Sequence, residues 1–477
     1  MITEVENRPA VGVDLLQVPR QRPECVVQVV ESTSEFDSLE AEWDSLFEES
    51  GVSVFQSFEW QRLWWKYFGE GNRCAHLYII VIKCGGKALA IAPFFIETVR
   101  LLEFSKLHTI SFIGREVSDY LTVLAARGYE SLCANLIASH LAEHSSMFEA
   151  LCLEDIPDRS RMHLVLYEAL ARAGFNGELF IDQYCPRAPL QDTWEETVSS
   201  LCGTHRRHLN QRRRQISENF VTQFEVTRRE NDISRDMDDF IALHQKRWIK
   251  NGCKGVFSNQ RMVAFHHEVA ARFFQRGWLF LAFLRLDGKR VAAVYGFRFR
   301  RELEYYLGGI EEDGKAGPYS PGTVLHSYSM EQAIEEGKRV YDFLRGTEQY
   351  KSTLGAVETP NWTILMFCSR SETIRFRFRM QRFLTKVGRR VDEEKVLMRH
   401  VLAESGTTLS GLAKHIWKRG LKNLADIRRR VAPLSSRYLC GYPHKSRPGN
   451  GLSSRNGSNG NGHTIQPVNN DFFYGAH

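Results

Sequence analysis

Residues Tyr305–Lys351 read YYLGGIEEDGKAGPYSPGTVLHSYSMEQAIEEGKRVYDFLRGTEQYK, and the order of residue types in this stretch decides the fold. An aromatic strand, Leu303 to Leu307, runs into a Gly-rich loop. Pro321-Gly322-Thr323 then opens an amphipathic helix predicted from about Val324 to Glu336, and Gly337 closes it. Val340 to Leu344 reads as a second strand. A helix start exposes unpaired backbone N–H groups and the positive end of the macrodipole. A phosphate or pyrophosphate fits at such a helix start without any side-chain cation. Asp342, Arg345, Glu348 and Lys351 follow closely. A cradle beside a polar cluster points to a transferase built around a phosphorylated cofactor. The same Gly-Pro-Tyr-Ser-Pro-Gly run also reads as a plain turn before a core helix.

Working outward, the 477 residues exceed a single typical core, so two domains plus a tail are expected. Apolar content of 43% and charged content of 25% are those of a globular chain. The net charge of +6 is mild and implies no obligate nucleic-acid partner, while leaving anionic cofactors welcome. The ten cysteines form no CxxC pair, so no metal site is expected. Cys84 and Cys152 sit in apolar strand-like runs and read as buried thiols, a usage that fits a reducing compartment. The N-terminus lacks the pattern of a signal peptide, and no apolar run approaches the roughly 20 residues needed to span a bilayer. The expected location is cytoplasmic, with room for contact at the inner membrane.

Ahead of the deciding stretch the chain shows an internal echo. Gly85-Gly86 joins Leu77 to Lys83 with Ala88 to Phe95, and Asp287-Gly288 joins Trp278 to Leu286 with Lys289 to Phe299. Both are hairpin signals. In each half helices precede the hairpin, and a Gly-bearing strand, a helix and a strand follow it. Phe58 to Phe68, with Trp60, Trp64, Trp65 and Tyr67, reads as a core helix. Thr193 is a plausible cap for a helix ending at Leu201. The basic run Thr204 to Arg214 reads either as a solvated helical face or as an attractor of an anionic ligand. The first copy offers only Ala125-Ala126-Arg127-Gly128 where the second has its Gly/Pro loop, so chemistry is assigned to the second copy. Beyond residue 370 the chain turns basic. Ile374 to Arg390 would form a basic amphipathic helix able to lie on anionic lipid or to cover a domain. Asn450 to His463 is low-complexity sequence expected to be disordered.

The second half resembles the GNAT superfamily, and more closely the bacterial CelD/BcsL-type acetyltransferases associated with cellulose or exopolysaccharide biosynthesis. The resemblance rests on Phe240 to Trp248, Phe265-His266, Ala293 to Phe297, Tyr305 to Gly309, Tyr319 to Gly322 and Tyr341 to Lys351. The doubled unit is similar to the paired GNAT-like domains of FemAB-type peptidyltransferases. The fold implied is α/β (α+β): tandem GNAT-like domains, each a mixed, mainly antiparallel sheet flanked by helices, plus a basic helical C-terminal tail. The divisions are a loose leader (1–24), a degenerate N-terminal copy (25–187), an acyltransferase copy (188–370), a basic helical extension (371–440) and a disordered tail (441–477).

The resemblance implies acetyl-CoA or another acyl-CoA as donor and no metal. Tyr319, Ser320, Gly322 and Thr323 would hold its pyrophosphate. Acyl transfer to an amine or hydroxyl needs a proton acceptor, and Asp342, Glu348 and His244 are the candidates. Arg247, Trp248, Tyr306, Arg345, Tyr350 and Lys351 are the candidate acceptor contacts, Arg345 and Lys351 for an anionic group. The expected acceptor is a sugar, polysaccharide precursor or small metabolite. The basic tail offers contact with a membrane or an exopolysaccharide synthase. Two alternatives stand beside this reading: a FemAB-like transferase using aminoacyl-tRNA, with the basic run on RNA phosphates, and a non-catalytic scaffold of an exopolysaccharide system.

Overall fold

The computed structural model describes residues 25–101, 105–250, 254–311 and 314–368. The leader, the basic extension with Ile374 to Arg390, and the low-complexity tail lie outside the described residues. The first half contributes strands β1 (Cys25–Val30), β2 (Ala75–Leu77), β3 (Ile79–Cys84), β4 (Lys87–Ala92), β5 (Phe94–Leu101), β6 (Ser105–Phe112), β7 (Leu124–Ala125), β8 (Ala150–Pro157) and β9 (Asn176–Pro189). Its helices are α1 (Thr33–Ser38), α2 (Glu40–Ser50), α3 (Phe58–Trp64), α4 (Glu130–Glu143) and α5 (Met162–Arg172). The second half contributes helices α6 (Trp194–Ser200), α7 (Gly203–Asn219), α8 (Ile233–Lys250), α9 (Gln260–Gln275), α10 (Pro321–Glu335) and α11 (Gln349–Thr353). Its strands are β10 (Thr222–Val226), β11 (Leu279–Leu286), β12 (Lys289–Phe299), β13 (Glu302–Ile310), β14 (Val340–Asp342) and β15 (Val357–Phe367).

Both predicted hairpins form, with Gly85, Gly86, Asp287 and Gly288 all at positive φ, as tight two-residue turns require. Thr193 caps α6 in a capping box with Glu196. Two predicted strands are each divided. Leu77 to Lys83 breaks at Tyr78 into β2 and β3, and Ala88 to Phe95 breaks at Pro93 into β4 and β5. Proline has no N–H to continue a ladder. At each break the chain passes from one sheet to another.

The small sheet has the order β1-β3-β4-β7. The large one runs β10-β11-β12-β13-β14-β9-β15-β8-β6-β5-β2 and spans both halves. The join is an exchange of strands: β9 pairs with β14 at Pro189, Ala188 and Arg187, and β15 inserts between β9 and β8. The aromatic helix expected to be core is core. Trp60 of α3 is buried and packs its ring 5.2 Å from Phe265 and 5.7 Å from both Phe297 and Tyr306, so first-half residues cover the second half's sheet.

Cys84 is not a free thiol. It forms a disulfide with Cys25, its register partner across β1 and β3. The support that Cys84 gave to a reducing compartment is therefore withdrawn, while Cys152 is a buried thiol as expected. The bridge closes a loop with a sequence separation of 59. Replacing Cys25 by serine should lower unfolding stability by about 2–4 kcal/mol, read from the denaturant midpoint. Equal midpoints for oxidised and reduced wild-type protein would argue against the staple.

Candidate active site

Strands β13 and β14 are parallel, and their pairing ends at Glu304 opposite Asp342. Beyond that point they are joined by no further ladder pairs. Leu344 takes φ 52° and Gly346 φ 104°, which turns the chain out of strand geometry. On the other side of β13 the register with β12 shifts between Tyr295 and Gly296, leaving Tyr306 as the extra residue of a β-bulge. A bulge leaves backbone groups unpaired. Here it falls where β13 parts from β14, a position suited to an N–H that stabilises charge on a thioester oxygen.

Four residues further, Ile310 lies against the first turn of α10, about 13 Å from the bulge at strand rise. A Cβ built on Gly322 would come within 2.5 Å of Ile310 Cδ1, so glycine lets the helix start close over the strand end. Ser320 is the N-cap in a left-handed conformation (φ 53°), and its side chain makes no capping bond. Among the described residues, the first N–H groups of α10 thus have no side-chain cap, as an anion cradle needs. Thr323 sits half-buried in that turn, and the Tyr319 ring packs edge-on against Phe220 at 5.7 Å.

The other sequence candidates are held by contacts within the chain. Asp342 is fully buried. It accepts from Tyr120 Oη (2.9 Å), Arg187 Nε (2.9 Å) and the Leu344 N–H (2.9 Å), with Arg159 at 3.7 Å. Burial raises its pKa against the opposing pull of Arg159 and Arg187. Glu304 beside it is pushed well above the usual carboxylate range, first by burial and then by Glu302 and Asp342.

Arg345 reaches across the halves to the Asp119 carboxylate, to Ser118 O (2.6 Å) and to Asp155 at 3.7 Å. Asp155 is raised to about 7 by burial, with Arg345 opposing, and it holds a left-handed φ of 61°. Lys351 donates to the carbonyls of Phe343, Arg345 and Gly346 and pairs with Glu348 at 2.9 Å. The charges expected to meet an anionic acceptor, Arg345 and Lys351, are thus matched within the chain.

His244 of α8 is buried, and its Nε2 accepts from Trp248 Nε1 at 3.1 Å. An indole N–H only donates, so that bond leaves the proton of neutral His244 on Nδ1. Tyr306 donates to Val117 O at 2.6 Å. Tyr350 stacks on His326 at 5.3 Å, and the pKa of His326 is lowered to about 3 by burial and then by Lys351. Arg247 falls within α8, and its side chain lies outside the described residues. Of the three base candidates, Glu348 has the solvent-accessible carboxylate, 42% exposed.

The sequence reading missed Arg159, Arg187, Glu302, Glu304 and Asp155, and it assigned no role to Ser118-Asp119-Tyr120. That first-half segment is clamped by second-half residues: Tyr306 on Val117, Arg345 on Ser118 and Asp119, Asn361 on Asp119 O (2.7 Å) and Asp342 on Tyr120. Alternation and spacing carry no signal for such contacts.

The basic run lies on α7. Arg213 pairs with Glu331 (2.6 Å) and covers the Tyr328 ring, while Phe220 meets Tyr319. These contacts set α7 antiparallel to α10 and carry Thr204 to His208 away from the α10 N-terminus.

Residues 203–352, from α7 to α11, match the acetyltransferase (GNAT) domain family. This segment is a GNAT-type acyltransferase domain. No curated protein sequence matches the chain. Among solved structures, FemX is similar at 12% identity and TM-score 0.47, over 71% of this chain and 96% of that one. L-PGS from Bacillus licheniformis is similar at 10% identity and TM-score 0.42, over 72% and 96%. A tandem GNAT protein from the clavulanic acid biosynthesis pathway is similar at 11% identity and TM-score 0.38, over 73% and 100%. Likeness of this degree does not reach chemistry or substrate. Among the described residues, no group of three His, Cys, Asp or Glu side chains could hold a metal ion, and no helix is long and apolar enough to cross a membrane.

Proposed function

We propose that the GNAT domain transfers an acyl group, acetyl in the first instance, from acyl-CoA to an amine or hydroxyl. The acceptor is a sugar, a polysaccharide precursor or a related small metabolite, in the manner of CelD/BcsL-type proteins of cellulose or exopolysaccharide biosynthesis. The observation that carries this reading is the parting of β13 from β14 beside a bulge, with the side-chain-uncapped start of α10 at the far end. The first turn of α10, Pro321 to Thr323, fits a pyrophosphate. The bulge at Tyr306 supplies an N–H to the thioester oxygen as charge develops there. Glu348 takes the proton of the attacking amine or hydroxyl, directly or through water. The buried Asp342 network holds β14 and the first half in register and keeps the parting fixed.

Incubation with acetyl-CoA and a panel of amino sugars and sugar nucleotides should release free CoA thiol with at least one acceptor. Release with none, together with acyl transfer from aminoacyl-tRNA, would favour the second reading. The exposed Arg206, Arg207 and Arg214 on α7 favour that alternative, since they could neutralise RNA phosphates. Binding of neither donor would leave the scaffold reading.

A further inference from the structure

The large sheet carries an apolar strip on the face away from α5. Helix α5 packs on β8, β9 and β15. His163 of α5 stacks on Trp362 of β15, ring centroids 4.8 Å apart and ring planes nearly parallel. Alternation along β15 then turns Thr363, Leu365 and Phe367 to the opposite side. There Leu365 and Phe367 join Leu107, Ala150 and Cys152 in a separate apolar cluster, with Phe180 packed against it. These side chains are withdrawn from water: Phe367 and Ala150 are 0% exposed and Leu365 1%. The register places Glu178 opposite Leu365, and Glu154, which pairs with Arg115 at 3.6 Å, follows Cys152 by two residues on β8, so carboxylates lie on the same face. The result is an apolar strip with an acidic margin.

We propose that this strip is the dock for the chain's own segment Ile374–Leu384. Three observations carry the assignment. Strand β15 ends at Phe367 on this face, and the six residues before Ile374 span about 20 Å when extended. That reach crosses four strands at ~4.8 Å spacing. The segment reads IRFRFRMQRFL. In a helix, Phe376, Met380, Phe383 and Leu384 fall on one stripe, and Arg375, Arg379 and Arg382 on the adjoining one. An apolar stripe flanked by arginines is complementary to an apolar strip flanked by carboxylates. Docking here uses the segment's apolar stripe within the chain and leaves it unavailable to lipid.

Cys152, a thiol within the strip, supplies the readout. In the full-length protein its alkylation, resolved by peptide mass spectrometry, should be slow. Phe376→Asp with Met380→Asp should speed it by about tenfold or more by opening the dock. Glu178→Arg should also speed it, and adding Arg379→Glu should restore the slow rate. Unchanged Cys152 reactivity in Phe376→Asp/Met380→Asp would overturn the proposal. So would wild-type flotation with phosphatidylglycerol vesicles that the same double variant abolishes without exposing Cys152. Protection that disappears on dilution of the wild type would point instead to a second copy of the chain and would equally overturn it.

Discussion

Replacing Arg345 by methionine should lower unfolding stability by about 3–5 kcal/mol, the scale of breaking a buried ion pair from one side. The guanidinium serves Asp119, Ser118 O and Asp155 together, and Asp119 is 0% exposed. Removing it takes the Arg345 charge away from two interior carboxyl groups. The pH dependence gives a second signature. Asp155 has its pKa raised from 3.8 to about 7, so the folded state retains a proton that the unfolded chain gives up. The stability this contributes is complete below about pH 4 and is lost as pH rises towards 7. Without Arg345 the Asp155 pKa should rise further, and the loss should extend to higher pH. Urea titrations of wild type and variant across pH 4 to 9 test both points. A cost below about 1 kcal/mol, in the range of a surface pair, would mean that the two halves are not clamped here.

Glu348→Gln should reduce kcat by about 10²–10⁴ if Glu348 is the proton acceptor, with acyl-CoA binding unchanged. Its carboxylate is part-exposed and its partner Lys351 keeps three carbonyl acceptors, so the fold should tolerate the change. The matching control is Asp342→Asn. Asp342 is encased by Tyr120, Arg187 and the Leu344 N–H, so that variant should lose stability along with activity. Full activity in Glu348→Gln would remove it from the mechanism. A loss confined to stability would make it a partner of Lys351 and nothing more.

Local features were legible in the sequence because local chemistry makes them. The Gly85-Gly86 and Asp287-Gly288 turns and the Thr193 cap each follow from residues within a few positions, while α10 begins at Pro321, ahead of the expected start at about Val324, because proline is well accommodated in a helix's first turn. The His244–Trp248 bond also spans a single helical turn and could have been read from i, i+4 spacing. What escaped is long-range. Tyr120 and Asp342 are 222 residues apart in the chain, and Asp119 and Arg345 are 226 apart. Asp342 and Arg345 looked like a free polar cluster because the groups that neutralise them come from the other half. The insertion of β15 between β8 and β9 is likewise a matter of which strand finds which, and alternation is silent on that. The Cys25–Cys84 bridge escaped because both residues look like ordinary apolar strand positions until β1 and β3 are aligned.

In the proposed reaction the start of α10, beside the parted strands, holds the pyrophosphate of acyl-CoA. Calorimetric titration of CoA and acetyl-CoA into wild type and Gly322→Leu tests it most directly. A side chain at Gly322 meets Ile310 and fills the close approach between helix start and strand end. The wild type should bind at micromolar concentration, and Gly322→Leu at least tenfold more weakly (about 1.4 kcal/mol), with the thermal melt of the variant still cooperative. Absence of binding to the wild type, or equal binding by wild type and variant, would contradict it.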